Sequence, residues 1–278
     1  MNRFIIPTIA LLIAISCQDD SFKEPNYNPK VVVDGWIEQG QPAKVLLTLS
    51  APYFSEIDSV SIRNLLITRA KVSISDGLEE EVLTLRKNSN YFPPYVYEST
   101  FIKGEVGRTY ALKVEYSGKV LTSSTQIPEP QKLDSMWFNL ASNNDTSGNV
   151  VIRFTDKIGE DNYYRVLSKT GIKTEKYDPT FLPNIDGRLI DGQTVSLSIS
   201  RQKKGKAANY HLNDTVNIKL CTMNLEAFNF WRSLNQEQFN SQNPFASSVL
   251  HVESNIDGGI GIWAGYGVSN YRIVCKKR

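Results

Sequence analysis

Short runs of alternating apolar and polar residues follow one another from residue 31 to residue 127. Seven of these runs have strand length and are rich in β-branched and aromatic residues: VVVDGWIE, KVLLTLS, AKVSIS, EVLTL, YVYESTF, TYALKVEY and KVLTSSTQI. Turn-forming pairs such as Asp76-Gly77 and Pro93-Pro94 separate them. Seven short strands in roughly a hundred residues predict an immunoglobulin-like β-sandwich over residues 31–130.

The last two of these runs predict a hairpin. TYALKVEY and KVLTSST flank the pair Ser117-Gly118, a turn signal between two alternating segments. Because side chains alternate between the two faces of a strand, one face of the first run carries four large residues: Tyr110, Leu112, Val114 and Tyr116.

A polar, proline-containing break, IPEPQK at residues 127–132, follows the hairpin. Beyond it five further runs have strand character: LDSMWFNL, NVVIRFTD, NYYRVLSK, TVSLSIS and TVNIKLCT. We therefore expect a mainly β protein, in which the first sandwich is followed by a second β-rich, sandwich-like domain at residues 131–278.

One segment of the second half has helical rather than alternating periodicity. NLEAFNFWRSLNQEQF predicts an amphipathic helix of about four turns, with Asn224 as its N-cap. Its apolar residues recur every three positions, and such a stripe is typical of core packing. The stripe consists of Leu225, Phe228, Trp231 and Leu234, with Phe239 close to it.

A glycine-rich segment, NIDGGIGIWAGYG, precedes the final predicted strand, NYRIVCKK. Gly259-Ile260-Gly261 begins like a dinucleotide-binding fingerprint, but Gly265 comes one residue late and no helix of useful length follows. The glycines, Gly258 included, are better explained by backbone shape and close approach. Ile260 and Ile262 are expected on one face of the segment and Trp263 on the other.

The N-terminus has the pattern of a bacterial lipoprotein signal. Arg3 precedes an apolar stretch at residues 4–15, which is too short to span a bilayer. Ala14-Ile15-Ser16-Cys17 resembles a lipobox. We expect residues 1–16 to be a signal peptide, cleaved between Ser16 and Cys17, and Cys17 to carry lipid that anchors the protein in a membrane. An ordinary cleaved signal with an incidental cysteine is the alternative.

Polar residues follow Cys17. Gln18, Asp19 and Asp20 resemble the acidic signal that sends lipoproteins of bacteroidetes-type bacteria to the cell surface, and a merely soluble spacer is the alternative. Residues 17–30 contain two prolines and no periodicity, so we expect a flexible lipidated tether.

The charge of the chain bears on nucleic-acid binding, and its cysteines bear on disulfide formation. A formal net charge of +2 offers no bulk attraction for nucleic acid. The densest basic run, RQKKGK at residues 201–206, lies between strand-like segments and predicts a solvated hairpin loop. Cys221 and Cys275 remain once Cys17 is lipidated, and either a disulfide or two buried thiols in adjacent strands fits the sequence.

No motif in the chain indicates catalysis. It has no G-x-S-x-G, and its two histidines, His211 and His251, allow few nucleophile–base arrangements and show no zinc-site spacing. We therefore expect a protein that is not an enzyme, with no metal and no cofactor.

Aromatic residues are the remaining candidates for ligand contact. Tyr91, Phe92 and Tyr95 flank two prolines in a predicted loop, and Trp263 and Tyr266 lie in the glycine-rich segment. Exposed loop aromatics favour recognition, and packing inside the sandwich is the alternative.

The succession of these motifs resembles a known family. The tether behind Cys17, VVVDGWI, APYFS, GEVGRTYALKVEYSGKVLTSSTQIP, LDSMWF, the NPF at residues 243–245 and NIDGGIGIWAGYGVS are similar to the domain of unknown function 4249 family. The resemblance covers nearly the whole chain after the signal peptide. Its most specific part is residues 255–269.

The resemblance implies a role at the cell envelope. Members are lipoproteins of bacteroidetes-type bacteria, typically encoded beside TonB-dependent outer-membrane receptors. It therefore implies an outer-membrane lipoprotein, facing the cell exterior, that binds an unknown substrate as the non-catalytic partner of a TonB-dependent transporter in nutrient uptake. A structural or adhesive surface lipoprotein is the alternative.

A Cys17→Ala variant should lose membrane association and release folded protein, because the variant lacks the only lipid-bearing thiol. Cell fractionation and metabolic labelling with a fatty acid measure the effect. Cys275→Ala, which lies outside the lipobox, is the control and should keep the label. A label that persists on the Cys17→Ala protein would contradict the lipid assignment.

Overall fold

β-strands dominate the chain, as the alternating pattern predicts. The computed structural model describes residues 27–52, 58–171, 176–203, 206–240 and 252–277. The first half contains a short helix α1 (Ser59–Leu65) and the strands β1 (Val31–Glu38), β2 (Pro42–Leu49), β3 (Lys71–Ser75), β4 (Glu80–Val82), β5 (Thr84–Lys87), β6 (Tyr95–Lys103), β7 (Thr109–Tyr116) and β8 (Lys119–Gln126).

The second half contains ten strands and one long helix among the described residues. The strands are β9 (Ser135–Leu140), β10 (Ser147–Thr155), β11 (Tyr163–Thr170), β12 (Asp178–Asp186), β13 (Thr194–Ile199), β14 (Arg201–Lys203), β15 (Lys206–Ala208), β16 (Tyr210–His211), β17 (Thr215–Met223) and β18 (Ile260–Val274). A 3₁₀ turn (Gly187–Leu189) follows β12, and helix α2 (Leu225–Asn240) follows β17.

These strands form three sheets in the described part of the chain. A ten-stranded sheet has the order β15-β14-β12-β11-β17-β18-β1-β2-β6-β5. A four-stranded sheet of order β4-β3-β7-β8 lies against its β1 end, and the sheet β13-β10-β16, joined by β9, lies against its β11 end. The prediction of a mainly β fold with sandwich-like layers and one main amphipathic helix is confirmed.

Each small sheet closes one apolar core against the large sheet. The first core takes side chains from β1, β2, β3, β6, β7 and β8 and includes Val33, Val45 and Tyr110. The second takes side chains from β9, β10, β11, β13, β16 and β17 and includes Phe154 and Leu220. Alternation along each strand therefore leaves the other face of the large sheet free for a further layer.

Strand β18 joins the two halves of the large sheet. Its residues 260–266 pair in parallel with β1, and its residues 267–274 pair antiparallel with β17. Ile256 and Trp263 consequently lie in the first core, although they belong to the second half of the chain. The proposed boundary at residues 127–132 separates the earlier strands of the two cores, and the division at residue 130 stays a prediction.

Several strands differ from the sequence prediction. EVLTL divides into β4 and β5, which belong to different sheets. The glycine-rich segment does not merely precede the last strand, since β18 begins at Ile260 inside that segment and continues to Val274. The basic run supplies two short paired strands, β14 and β15, and only its tip at residues 204–205 lies outside the described residues. Strand β12 was not predicted, because Pro179 and Pro183 interrupt its sequence.

The predicted hairpin and helix cap are confirmed. Strands β7 and β8 pair from Thr109↔Gln126 to Tyr116↔Lys119 around a turn in which Ser117 and Gly118 have φ of 49° and 76°. The Asn224 side chain accepts a hydrogen bond from the Ala227 backbone N–H at 3.1 Å.

The predicted stripe of α2 is partly wrong. Leu225 is 41% exposed, whereas Ala227, Phe228 and Phe230 are buried. Three residues advance a helix by about 300°, so a strict three-residue repeat moves around the helix and cannot stay on one face.

The lipobox, the export signal and most of the tether lie outside the described residues, as do the NPF motif and His251. The predictions for Ser16, Cys17, Gln18, Asp19 and Asp20 therefore stay predictions.

Alanine substitutions in the glycine-rich segment should destabilise the fold in a defined order. Gly261 has φ of +121° and a Cβ there would lie 1.9 Å from the Val33 carbonyl oxygen. Gly258 has φ of +78° and its Cβ would lie 2.7 Å from the Val120 carbonyl oxygen. We expect Gly261→Ala to cost the most, more than about 3 kcal/mol, and Gly258→Ala about 1–3 kcal/mol.

Thermal unfolding measures this order. Gly259→Ala should cost least, because Gly259 does not have the positive φ of the other two, although its Cβ would lie 2.3 Å from Leu121 Cδ2 and 2.9 Å from the Val31 carbonyl oxygen. Gly40→Ala is the matched control, since Gly40 has φ of +71° and no atom within 4 Å of its Cβ position. Unchanged melting of the Gly258, Gly259 and Gly261 variants, together with saturable nucleotide binding by the parent protein, would contradict the structural role of these glycines.

Candidate functional site

A cleft opens on the face of the large sheet that points away from both cores. Two adjoining depressions of about 280 and 370 Å³ share five lining residues: Trp36, Glu38, Tyr91, Tyr177 and Lys219. We call them together the outer cleft. Its floor comes from alternate residues of β1, β18, β17 and β11, so both halves of the chain contribute to it.

Helix α2 forms one wall of the outer cleft. Phe228 of the helix packs on Tyr163 with ring centroids 5.0 Å apart. One turn further, the Trp231 indole N–H donates a hydrogen bond of 2.7 Å to the Tyr266 hydroxyl on β18. These contacts fix the helix on the sheet and direct the Trp231 ring toward the cleft.

The turn between β5 and β6 forms the opposite wall. The Asn88 side chain accepts a hydrogen bond of 3.0 Å from the Asn90 backbone, which shapes the turn. Tyr91 then packs on Trp36 of β1 with ring centroids 5.5 Å apart. Phe92 lines the cleft with 71% of its surface exposed. The two walls thus present aromatic rings to the same opening.

An ion pair lies on the cleft floor. The Lys219 ammonium donates to both carboxylate oxygens of Glu38, each at 2.7 Å. Both side chains are largely buried, so the pair is less screened by water than a surface ion pair. It joins β17 to β1 across β18.

Arg165 is a buried cation beside this pair. Only 5% of the residue is exposed, and its guanidinium lies 4.0 Å from the centre of the Trp231 ring. Its Nη1 donates a hydrogen bond of 2.7 Å to the Asn184 side-chain oxygen. Burial lowers the pKa of this guanidinium, while Tyr266, Cys221 and Asp34 raise it, and arginine stays charged at neutral pH.

Asp34 borders the same depression from β1. Desolvation by the surrounding protein raises the pKa of its carboxyl, whereas the charges of Arg165 and Lys176 lower it. The side chain is nevertheless exposed to the water of the cleft. Because solvent reaches it, the desolvation is only partial, and the charges of Arg165 and Lys176 favour its ionised form.

The groups around the cleft suit binding better than nucleophilic chemistry. Burial raises the pKa of the Cys221 thiol to about 12, so it stays protonated. His211 lies in the sheet of β10, away from this thiol. In the described ranges no group of three or more His, Cys, Asp or Glu residues is arranged to hold a metal ion.

The structure divides the predicted aromatic residues among three places. Tyr91, Phe92 and Tyr266 line the outer cleft. Tyr95 lines a separate depression of about 560 Å³ beside α1. The prediction that Trp263 contacts a ligand is wrong, because it is 0% exposed and its indole N–H donates to the Tyr110 carbonyl oxygen at 2.9 Å.

The charged residues of the cleft were not predicted from the sequence. Asp34, Arg165 and Lys219 each stand inside a run that was predicted as a strand. A signal was present for Arg165, since NYYRVLSK places a charge among residues that are otherwise suited to burial on both faces. Their convergence depends on strand pairing, which the sequence does not show.

The fold and the cleft define a class of protein: two β-sandwich cores that share one sheet, with a helix-walled cleft on the free face of that sheet. The chain belongs to the family described as Domain of unknown function (DUF4249), whose model matches residues 19–272. No curated protein matches the sequence. Among the described residues, none of the helices has the length and apolar character that crossing a bilayer requires.

Both cysteines after residue 17 should behave as unreactive thiols in the folded protein. Cys221 and Cys275 are buried and free, and burial raises their pKa values to about 12 and about 11. We expect negligible reaction with Ellman's reagent at neutral pH in the native protein and two thiols per chain in denaturant without reductant. Loss of both thiols in denaturant would instead indicate a disulfide between them.

Proposed function

We propose that the protein is a surface-exposed, outer-membrane lipoprotein that binds a ligand without chemical change and serves a TonB-dependent transporter. The observation that carries the binding role is the outer cleft. It combines aromatic walls with a buried arginine, an exposed aspartate and further charged residues, and small-molecule sites likewise place polar groups among aromatic side chains.

The shape of the cleft supports a binding role. Its walls come from a helix and from a turn that are each fixed by hydrogen bonds to neighbouring side chains or backbone. A site preformed in this way loses little conformational entropy when a ligand enters.

The location of the protein at the outer membrane is supported by the sequence before residue 30. The lipobox-like Ala14-Ile15-Ser16-Cys17 and the acids behind it are the features that favour a lipid anchor and export to the surface. The transporter partner is what the family resemblance described above implies, since members are typically encoded beside TonB-dependent receptors.

Co-purification tests the proposal. The tagged lipoprotein, extracted from outer membranes in mild detergent, should bring a TonB-dependent receptor with it. Protease added to intact cells should remove the protein from the surface.

The matched control variant replaces Asp19 and Asp20 with Ala. It should keep its lipid, resist protease on intact cells and lose the receptor, because it faces the wrong side of the membrane. Unchanged protease sensitivity of this variant would mean that Asp19 and Asp20 are not an export signal. A surface-exposed parent that recovers no receptor would contradict the transporter role.

A further inference from the structure

Arg165 is a buried cation of the outer cleft that has no ion-pair partner among the described residues. Its guanidinium carries five N–H donors, and its one hydrogen bond within the described residues goes to a neutral amide, that of Asn184. None of the ion pairs formed among the described residues includes Arg165. Burial of a cation without an ion-pair partner is unfavourable, and the face of Trp231 offsets this only in part.

The remaining donors of Arg165 suit an anion from outside the chain. Two parallel N–H groups of a guanidinium match the two oxygens of a carboxylate. The side chain lines the cleft, and Trp231 and Asn184 hold the guanidinium in place from two directions. A carboxylate that entered the cleft would therefore find a donor group whose orientation is already set.

Asp34 is the matching unpaired anion. It lines the same depression as Arg165, and its carboxyl group forms no hydrogen bond or ion pair with the other described residues, although the charges of Arg165 and Lys176 act on it. β17 and β18 lie between the strands of these two residues. Asp34 pairs with Ile262 of β18, whereas Arg165 is level, through Cys221, with Val268 of the same strand. The acid and the base face one cleft without contact between them.

The neighbouring charges are already satisfied. Lys219 and Glu38 neutralise each other at 2.7 Å, and Lys44 in the adjoining depression lies 3.4 Å from Glu98. Lys176 also lines the cleft and lies 4.0 Å from Asp178. Arg165 and Asp34 are thus a cation and an anion of the cleft that form no ion pair among the described residues. A simple anion on Arg165 would be repelled by Asp34, whereas a ligand with both signs would match each of them.

We propose that the outer cleft binds a small zwitterion, an amino acid or dipeptide, with its carboxylate on Arg165 and its ammonium on Asp34. This inference rests on the proposed binding function. The rings of Trp36, Tyr91 and Phe92 beside these charges favour a ligand with an apolar or aromatic side chain.

Calorimetric titration of the lipidated protein in detergent tests the inference. The probes are the standard amino acids and a set of dipeptides that includes phenylalanyl-phenylalanine. For each zwitterion that binds, the N-acetylated and C-amidated forms remove one charge at a time. We expect saturable binding of a zwitterion and a roughly 10- to 100-fold loss on removal of either charge.

Variants identify the two contacts. Arg165→Gln and Arg165→Lys should weaken the zwitterion roughly 10- to 100-fold, the second because lysine keeps the charge and lacks the fork. Asp34→Asn should weaken the zwitterion similarly and leave the N-acetylated form unchanged or tighter. Asp34 is exposed, so this variant tests the inference even if an Arg165 variant fails to fold. Arg153→Gln is the matched control, since Arg153 also lies over a tryptophan, Trp137, but on another sheet.

The outcomes separate this inference from the proposed function. Binding of a neutral disaccharide such as maltose that is indifferent to Arg165→Gln and Asp34→Asn would overturn the inference and leave a binding role. Absence of saturable binding by every zwitterion would also overturn it. The receptor co-purification is read independently of both results.

Discussion

The pairing of β18 with two partners in succession is the constraint on which the rest of the structure depends. Along residues 260–266 the strand forms a parallel ladder with β1, and from Gly267 it pairs with β17. The parallel ladder can form only where the β1 backbone approaches Gly261, whose missing side chain leaves room for the Val33 carbonyl. Without this ladder the ten-stranded sheet would separate into two halves, and the first core would lose Trp263.

The outer cleft lies where β18 changes its partner. Tyr266 is the last residue of the ladder with β1, opposite Glu38, and its hydroxyl accepts the hydrogen bond from Trp231 that fixes helix α2. Lys219 and Glu38 join the two sides of the change across β18. The chain linker at residues 126–130 crosses the same region on the other face, close to Gly265 and Gly267. The point where β18 changes its partner from β1 to β17 therefore positions both apolar cores and the outer cleft.

Local chemistry predicted much of the fold and little of the site. Alternation and the Ser117-Gly118 turn are contained in a few neighbouring residues, so the β7–β8 hairpin and the Asn224 cap could be predicted from sequence. Trp263 could not be placed, because its burial depends on a ladder with a strand more than 220 residues earlier. Asp34 and Arg165 likewise line one cleft only through the strand order, and although the apolar surroundings of Arg165 in its own strand are a local signal, nothing local relates it to Asp34.

Arg165 lies on the face of the large sheet that borders the outer cleft, where burial of a charge is unfavourable. An apolar side chain at position 165 would pack against Trp231 at lower electrostatic cost, since replacing buried charges with apolar residues is often neutral or stabilising. The observed residue keeps its guanidinium over the indole ring and lines the cleft. Trp231 is itself held by Tyr266 at the end of the β1 ladder. The pairing of β18 with β1 therefore also sets the orientation of the Arg165 guanidinium. A substitution that disrupts this pairing should also weaken the proposed ligand binding at Arg165.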